Sequence, residues 1–164
     1  MSKTVTVNVV NKSGNALPEY AHKGDAGVDL RADLTNITDV SKYFDGCAYD
    51  EIRNCVLMFP GGRCLIPTNL FVEIPEGYEL QIRPRSGLML KQGILAHLGT
   101  IDCGYRNSVG VILFNTSMNT FEIEQGDRIA QAVLNKIETI KWNEVESLND
   151  SNRSTNGFGS SGIK

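Results

Sequence analysis

Hydrophobic and polar residues alternate with a period of two over much of this chain, which is the signature of strands buried on one face. Val5, Val7 and Val9 alternate with Thr4, Thr6 and Asn8, and Tyr78, Leu80 and Ile82 alternate with Glu79, Gln81 and Arg83. The unbroken apolar run Val109-Gly110-Val111-Ile112-Leu113-Phe114 predicts a strand buried on both faces. Turn-forming clusters punctuate these runs at Lys12-Ser13-Gly14-Asn15, Pro60-Gly61-Gly62, Pro75-Glu76-Gly77, Asp102-Cys103-Gly104 and Gln125-Gly126-Asp127. Many short strands with frequent turns predict an all-β sandwich or barrel. Residues 129–140 fit this pattern least, because Ala130-Gln131-Ala132-Val133-Leu134-Asn135-Lys136 contains good helix formers, and on propensity a helix stays open there.

Two stretches depart from the pattern. Residues 38–56 mix Val40, Tyr43, Phe44, Ile52 and Val56 with charged residues around an Asp45-Gly46 break, predicting two short helical turns inserted into the β framework. From residue 147 onward, Ser, Asn, Asp and Gly dominate, so this tail cannot bury enough apolar surface to order itself. The reading is therefore one domain over residues 1–146, insert included, and a flexible arm over 147–164. Within that arm Arg153 and Phe158 are suited to fork onto a phosphate and stack on a base, or else belong to a tail without a role.

Composition narrows the partners. With 16 Lys plus Arg against 19 Asp plus Glu, the chain has a net charge of -3 and no basic surplus for a polynucleotide. No apolar run approaches the roughly 18 residues of a membrane helix, and the first residues carry no signal-peptide core. Neither nucleic acid nor membrane is expected as a partner, and the expected location is cytoplasmic. Cys47, Cys55, Cys64 and Cys103 have no CxxC spacing, which argues for reduced thiols and against structural zinc.

Candidate chemistry sits at the turns. Pro84-Arg85-Ser86-Gly87-Leu88 follows a strand and could offer backbone N–H groups, a hydroxyl and a guanidinium to an anion, or be a surface turn. Residues 99–106 place Asp102 and Tyr105 three residues apart at a tight turn, an acceptor for a water proton beside a flat ring. Gly126-Asp127-Arg128-Ile129-Ala130-Gln131 adds an arginine and an amide. Asp29, within Ala26-Gly27-Val28-Asp29-Leu30, faces away from Val28 and Leu30 on a strand, toward a metal-bound water or toward solvent.

Taken in order, these four segments and residues 153–162 resemble the five motifs of the trimeric deoxyuridine triphosphatases (dUTPases), spanning residues 26 to 162. The resemblance implies a jelly-roll homotrimer whose three sites lie between subunits, and hydrolysis of dUTP to dUMP and pyrophosphate with Mg2+. It implies that Asp102 activates the attacking water. The uracil edge falls to the backbone at Gly99, Ile101 and Gly110, and the deoxyribose to Tyr105. Arg85, Ser86, Gly87 and Gln131 become phosphate ligands, Arg153 the γ-phosphate clamp, Phe158 with Gly159 the uracil stack, and Asp29 the acid holding magnesium through water.

Two residues depart from the family pattern. Asn107 stands where glycine is usual and suggests a left-handed turn residue, and Ser154 replaces the glycine after Arg153. The insert is similar to that of some phage-encoded members and implies a second role in contacting a repressor protein. The competing readings are a dCTP deaminase-like enzyme, which shares the fold, and a non-catalytic protein-binding β-scaffold.

Overall fold

The computed structural model describes residues 4–39 and 41–150. Ten strands, one short helix and two 3-10 turns make up its regular structure. One sheet carries β1 (Asn8–Asn11), β4 (Cys55–Glu73), β8 (Ser108–Asn115) and β6 (Ile94–Ala96) in that order, with β3 (Asp45–Asp50) and β9 (Phe121–Glu124) also pairing with β4. The second sheet runs β2 (Val28–Arg31), β10 (Arg128–Lys136), β5 (Tyr78–Arg83) and β7 (Gly99–Ile101). Every pairing is antiparallel. The architecture is the mostly β, two-sheet jelly roll expected.

The core lies between the sheets. Val56, Met58, Ile66, Val109, Val111, Leu113 and Ile123 from the first meet Leu30, Ile82, Ala130 and Ala132 from the second, all within 3% of full burial. The alternation in β5 survives as expected, with Ile82 buried and Arg83 partly exposed.

The structure closes one open reading and corrects several expectations. Residues 129–140 are not a helix: β10 fills the slot between β2 and β5, and ladder bonds on both sides outweigh the helix propensity of its alanines and leucine. The β8 run is not buried on both faces. Val109, Val111 and Leu113 point into the core, whereas Ile112 is 40% exposed on the outer face beside a half-buried Phe114. Pro60-Gly61-Gly62 does not separate two strands but forms an excursion within β4. At the N-terminus, Thr4 to Val7 precede the strand rather than form it, and Val9 lies within β1, 40% exposed.

The insert is only partly helical. The 3-10 turns Ile37–Asp39 and Ser41–Tyr43 match the expected pair, with Val40 outside the described residues, but the remainder is β3, hairpinned onto β4 through a turn at 51–54. Gly46 (φ 63) begins a bulge there, and a side chain on Gly62 would meet the Gly46 carbonyl oxygen at 2.2 Å. The expected boundary at 56 also cuts into the core, since Cys55 and Val56 are fully buried.

Among the described residues, regular structure ends at Lys136, and residues 137–150 are exposed. Arg153, Phe158 and Gly159, like the rest of the expected arm beyond residue 150, lie outside the described residues. No helix among the described residues is long and apolar enough to cross a membrane. Because Gly62 meets backbone and not a movable side chain, Gly62→Ala should lower unfolding stability by about 1 to 3 kcal/mol in urea denaturation; an unchanged midpoint would contradict the close approach of insert and β4.

Candidate active site

The register of β10 gathers the polar residues at one end of the second sheet. Gln131 stands opposite Asp29 on one side and Arg83 on the other. Strand β5 then ends, and Pro84 and Arg85 lead into helix α1 (Ser86–Gln92), which closes on Gly93 in the left-handed conformation. This helix was not foreseen: it is only seven residues long, buries no residue fully and leaves Leu90 86% exposed, so it has no apolar stripe to read.

Arg85 Nε donates to Asp29 Oδ1 at 2.8 Å, and Arg128 Nη1 donates to Asp29 Oδ2 at 3.3 Å. Arg85 Nη1 also donates to the Arg128 carbonyl at 2.9 Å, so one carboxylate fixes both guanidinium groups. Asp29 and Arg85 are each 29% exposed by side chain, which leaves the pair open to a charged ligand. Sequence reading assigned no role to Arg128; the signal lies in its approach to Asp29, 99 residues away.

Gln131 is used differently from the expectation. Its Nε2 donates to the Pro84 carbonyl at 2.9 Å, holding the turn that carries Arg85, Ser86 and Gly87. Its Oε1 lies where a side chain on Gly27 would come within 2.5 Å, so only glycine leaves the amide in place. Ser86 and Gly87 are exposed in the first turn of α1, and Gly87 has open space where a Cβ would stand. A cleft of about 230 Å³ beside this cluster is lined by Glu19, Ala21, Asp25, Ala26, Gly27, Asp29 and Gln131.

The second group of candidates lies elsewhere. Gly99 and Ile101 belong to β7, paired with Ile82 and Leu80 of β5. The tight turn after β7 closes with the Tyr105 N–H donating to the Asp102 carbonyl at 3.0 Å, and the Asp102 side chain is exposed. Tyr105 packs its ring against the core and donates its hydroxyl to the Ser108 carbonyl at 2.8 Å. Asn107 is not left-handed: its Oδ1 accepts from the Ser108 N–H at 2.8 Å, and the positive-φ non-glycine residues described are Asn54 and Asn69. Arg106 braces the loop by donating to the Cys103 and Tyr105 carbonyls and by pairing with Glu73 at 3.3 Å. The Asn8 amide and that guanidinium hold the Glu73 carboxyl below its ordinary range.

Gly110 lies within β8, opposite Pro67, where a side chain would strike Leu65 Cδ1 at 2.7 Å; its packing reason is plain. A groove of about 670 Å³ shares no residue with either group and lies between the insert and the outer face of β4 and β8.

The two groups sit at opposite ends of β5. Ile101 pairs with Leu80, so Asp102 lies beyond it toward Glu79, whereas Arg85 follows the other end. At ~3.3 Å per strand residue the gap, six residues from Glu79 to Arg85, is on the order of 20 Å.

A family model described as dUTPase matches residues 50–162. The chain is 42% identical over 158 residues to the deoxyuridine 5'-triphosphate nucleotidohydrolase of Finegoldia magna, covering 95% of this chain and 98% of that protein. A mutant dUTPase of Staphylococcus bacteriophage 80alpha, solved with dUpNHpp, is similar in structure with a TM-score of 0.79 and 29% identity, covering 98% of this chain and all of that one. A mutant dUTPase from phage phi11 of S. aureus, whose structure shows the coordination of a structural Mg(II) ion, is similar with a TM-score of 0.70 and 26% identity over 89% of this chain and all of that one. With its two-sheet architecture, its paired groups of polar residues and these likenesses over nearly its whole length, the chain belongs to the dUTPase family.

Proposed function

We propose that the protein hydrolyses dUTP to dUMP and pyrophosphate at sites completed between the copies of a homotrimer. The observation that carries this reading is the separation along β5: Asp102 and the Asp29–Arg85–Arg128 cluster of one chain stand too far apart to serve one triphosphate. Asp102 from one copy would then face the arginine cluster of another.

Asp102 accepts the proton of a water that attacks the α-phosphorus, and the bond to the bridging oxygen breaks as pyrophosphate leaves. Its exposure supports this role, since a water must reach it. The backbone of residues 99–105, with Gly99 and Ile101 fixed in β7, meets the uracil edge, and Tyr105 supports the deoxyribose. Arg85, Ser86 and Gly87 hold phosphate oxygens, joined by Arg128, while Gln131 positions their turn. From outside the described residues, Arg153 takes the γ-phosphate, and Phe158 with Gly159 covers the base.

Magnesium, when bound with the triphosphate, neutralises charge on it. Among the described residues no cluster of three His, Cys, Asp or Glu is placed to chelate a metal. That suits an ion carried in by the substrate and held through water. Asp29 fits the part, because each of its oxygens keeps a lone pair beyond its arginine bond. Four unpaired thiols fit a reducing compartment, and the cytoplasm is our assignment.

A second role, contact with a repressor protein through the insert, is favoured by exposed apolar side chains there, Tyr43 at 54% and Ile52 at 98%. Replacing both with serine should spare hydrolysis and weaken any repressor contact; unchanged capture of the repressor in a pull-down would remove the insert from that role.

Three enzymatic outcomes are expected. Assayed across the deoxynucleoside triphosphates with magnesium, the protein should release pyrophosphate from dUTP and none from dTTP, whereas ammonia from dCTP would establish the deaminase reading and inertness the scaffold. Asp102→Asn should bind dUTP analogues normally but lose about 10² to 10⁴ in turnover, and full turnover in that variant would dismiss Asp102 as the base. Gly27→Ala should push Gln131 off Pro84, raising KM for dUTP severalfold while costing stability no more than about 1.5 kcal/mol, the worth of one hydrogen bond. Unaltered kinetics would deny Gln131 its positioning role.

A further inference from the structure

We infer that Arg106 and Glu73 are positioning residues for hydrolysis, which hold the turn carrying Asp102 where the attacking water needs it. Both act through Asp102, on the proposed reading of that residue as the base. Asp102 is exposed, and among the described residues its carboxylate has no hydrogen-bond donor, so the backbone of its turn sets its place. That turn leaves β7 after Ile101 and rejoins β8 at Ser108. Nothing lies within 4 Å of where a Cβ on Gly104 would stand, so packing does not hold the tip.

Hydrogen bonds hold it instead. Most of those made by the side chains of residues 102–107 stay inside the segment: Tyr105 and Asn107 bond the backbone of Ser108, and Arg106 Nη1 donates to the carbonyls of Cys103 at 2.6 Å and Tyr105 at 2.8 Å. Among the described residues one leaves it, from Arg106 Nη2 to Glu73 Oε1 at 3.3 Å, 33 residues away in sequence. Glu73 is fixed in its turn. It ends β4 opposite Asn8 of β1, and the Asn8 amide donates to its Oε2 at 2.7 Å. Each carboxylate oxygen thus has its own partner, and the path runs from the first sheet through one guanidinium to the two carbonyls that flank Gly104. A planar fork with donors in fixed directions suits this place better than a lysine's point charge.

The pair is not a stability device. Its side chains are 54% and 55% exposed, and ion pairs that open to water contribute little to global stability. Its effect is local: with the tip released, a misplacement of about 1 Å at a reacting group can cost on the order of 100-fold in rate. Tyr105 depends on the tie less, because its ring packs against the core and its hydroxyl bonds Ser108.

Hydrolysis of dUTP with magnesium by full-length variants tests this. Arg106→Ala should lose about 10- to 100-fold in kcat, while Kd for dUpNHpp moves by no more than about twofold. Glu73→Ala should lose less, and Glu73→Gln, which keeps an oxygen for Arg106, should recover most of that loss. Independently of turnover, the Tyr105 N–H that closes the turn should exchange with deuterium faster in Arg106→Ala, with the unfolding midpoint unchanged. Added to Asp102→Asn, Arg106→Ala should cost little more, since no base is left to position. Native kcat in Arg106→Ala, the same fractional loss with and without Asp102, or an unaltered exchange rate would each overturn the positioning role. An unmodified protein that leaves dUTP intact would instead overturn the proposed function, and the positioning role with it.

Discussion

The register of β10 is the constraint on which the site depends. A strand has a side-chain period of two, so a shift by one residue would turn Gln131 into the core and lift Ala130 or Ala132 out of it. As built, Ala130 and Ala132 are buried, and Gln131 stands on the opposite face between Asp29 and Arg83. From that one alignment follow the grip on the Pro84 carbonyl, the need for glycine at position 27 and the placing of Arg85. The hydrophobic core therefore sets the geometry of the polar cluster as well as its stability.

Electrostatics explains why that cluster holds together without a ligand. Two guanidinium groups near one another repel, and Asp29 accepts from both, with Arg85 also tied to the Arg128 backbone. On the proposed function, a polyphosphate entering this place would meet donors already oriented, the preorganisation that favours charge developing on a phosphate. The other half, Asp102 and Tyr105, is held by a turn on β7 whose hydrogen bonds are internal, so it too is formed in advance. What one chain does not supply is proximity between the halves, which the homotrimer we propose would supply.

Much of this was legible in the sequence, for reasons that differ from residue to residue. Alternation in residues 78–83 gave β5 because one face is buried, and the five short motifs in order gave the family. The β identity of β10 was hidden because its neighbours β2 and β5 lie far off in sequence and only tertiary pairing overrides its helix formers. Helix α1 was hidden because it buries nothing fully. The apolar run of β8 misled because its outer face, Ile112 included, is apolar without being covered within one chain. The double duty of Asp29 was beyond reach, since its partners are 56 and 99 residues distant.

Mixed trimers test the intersubunit site most directly. Asp102→Asn and Arg85→Ala chains, each inactive alone, are unfolded together, refolded and assayed for pyrophosphate release from dUTP. If Asp102 of one copy works with Arg85 of another, some sites in the mixture carry both native residues and activity returns to a substantial fraction of the unmodified enzyme. Mixtures that form heterotrimers yet stay as inactive as either parent would show that both residues must come from the same chain, and the account would fail.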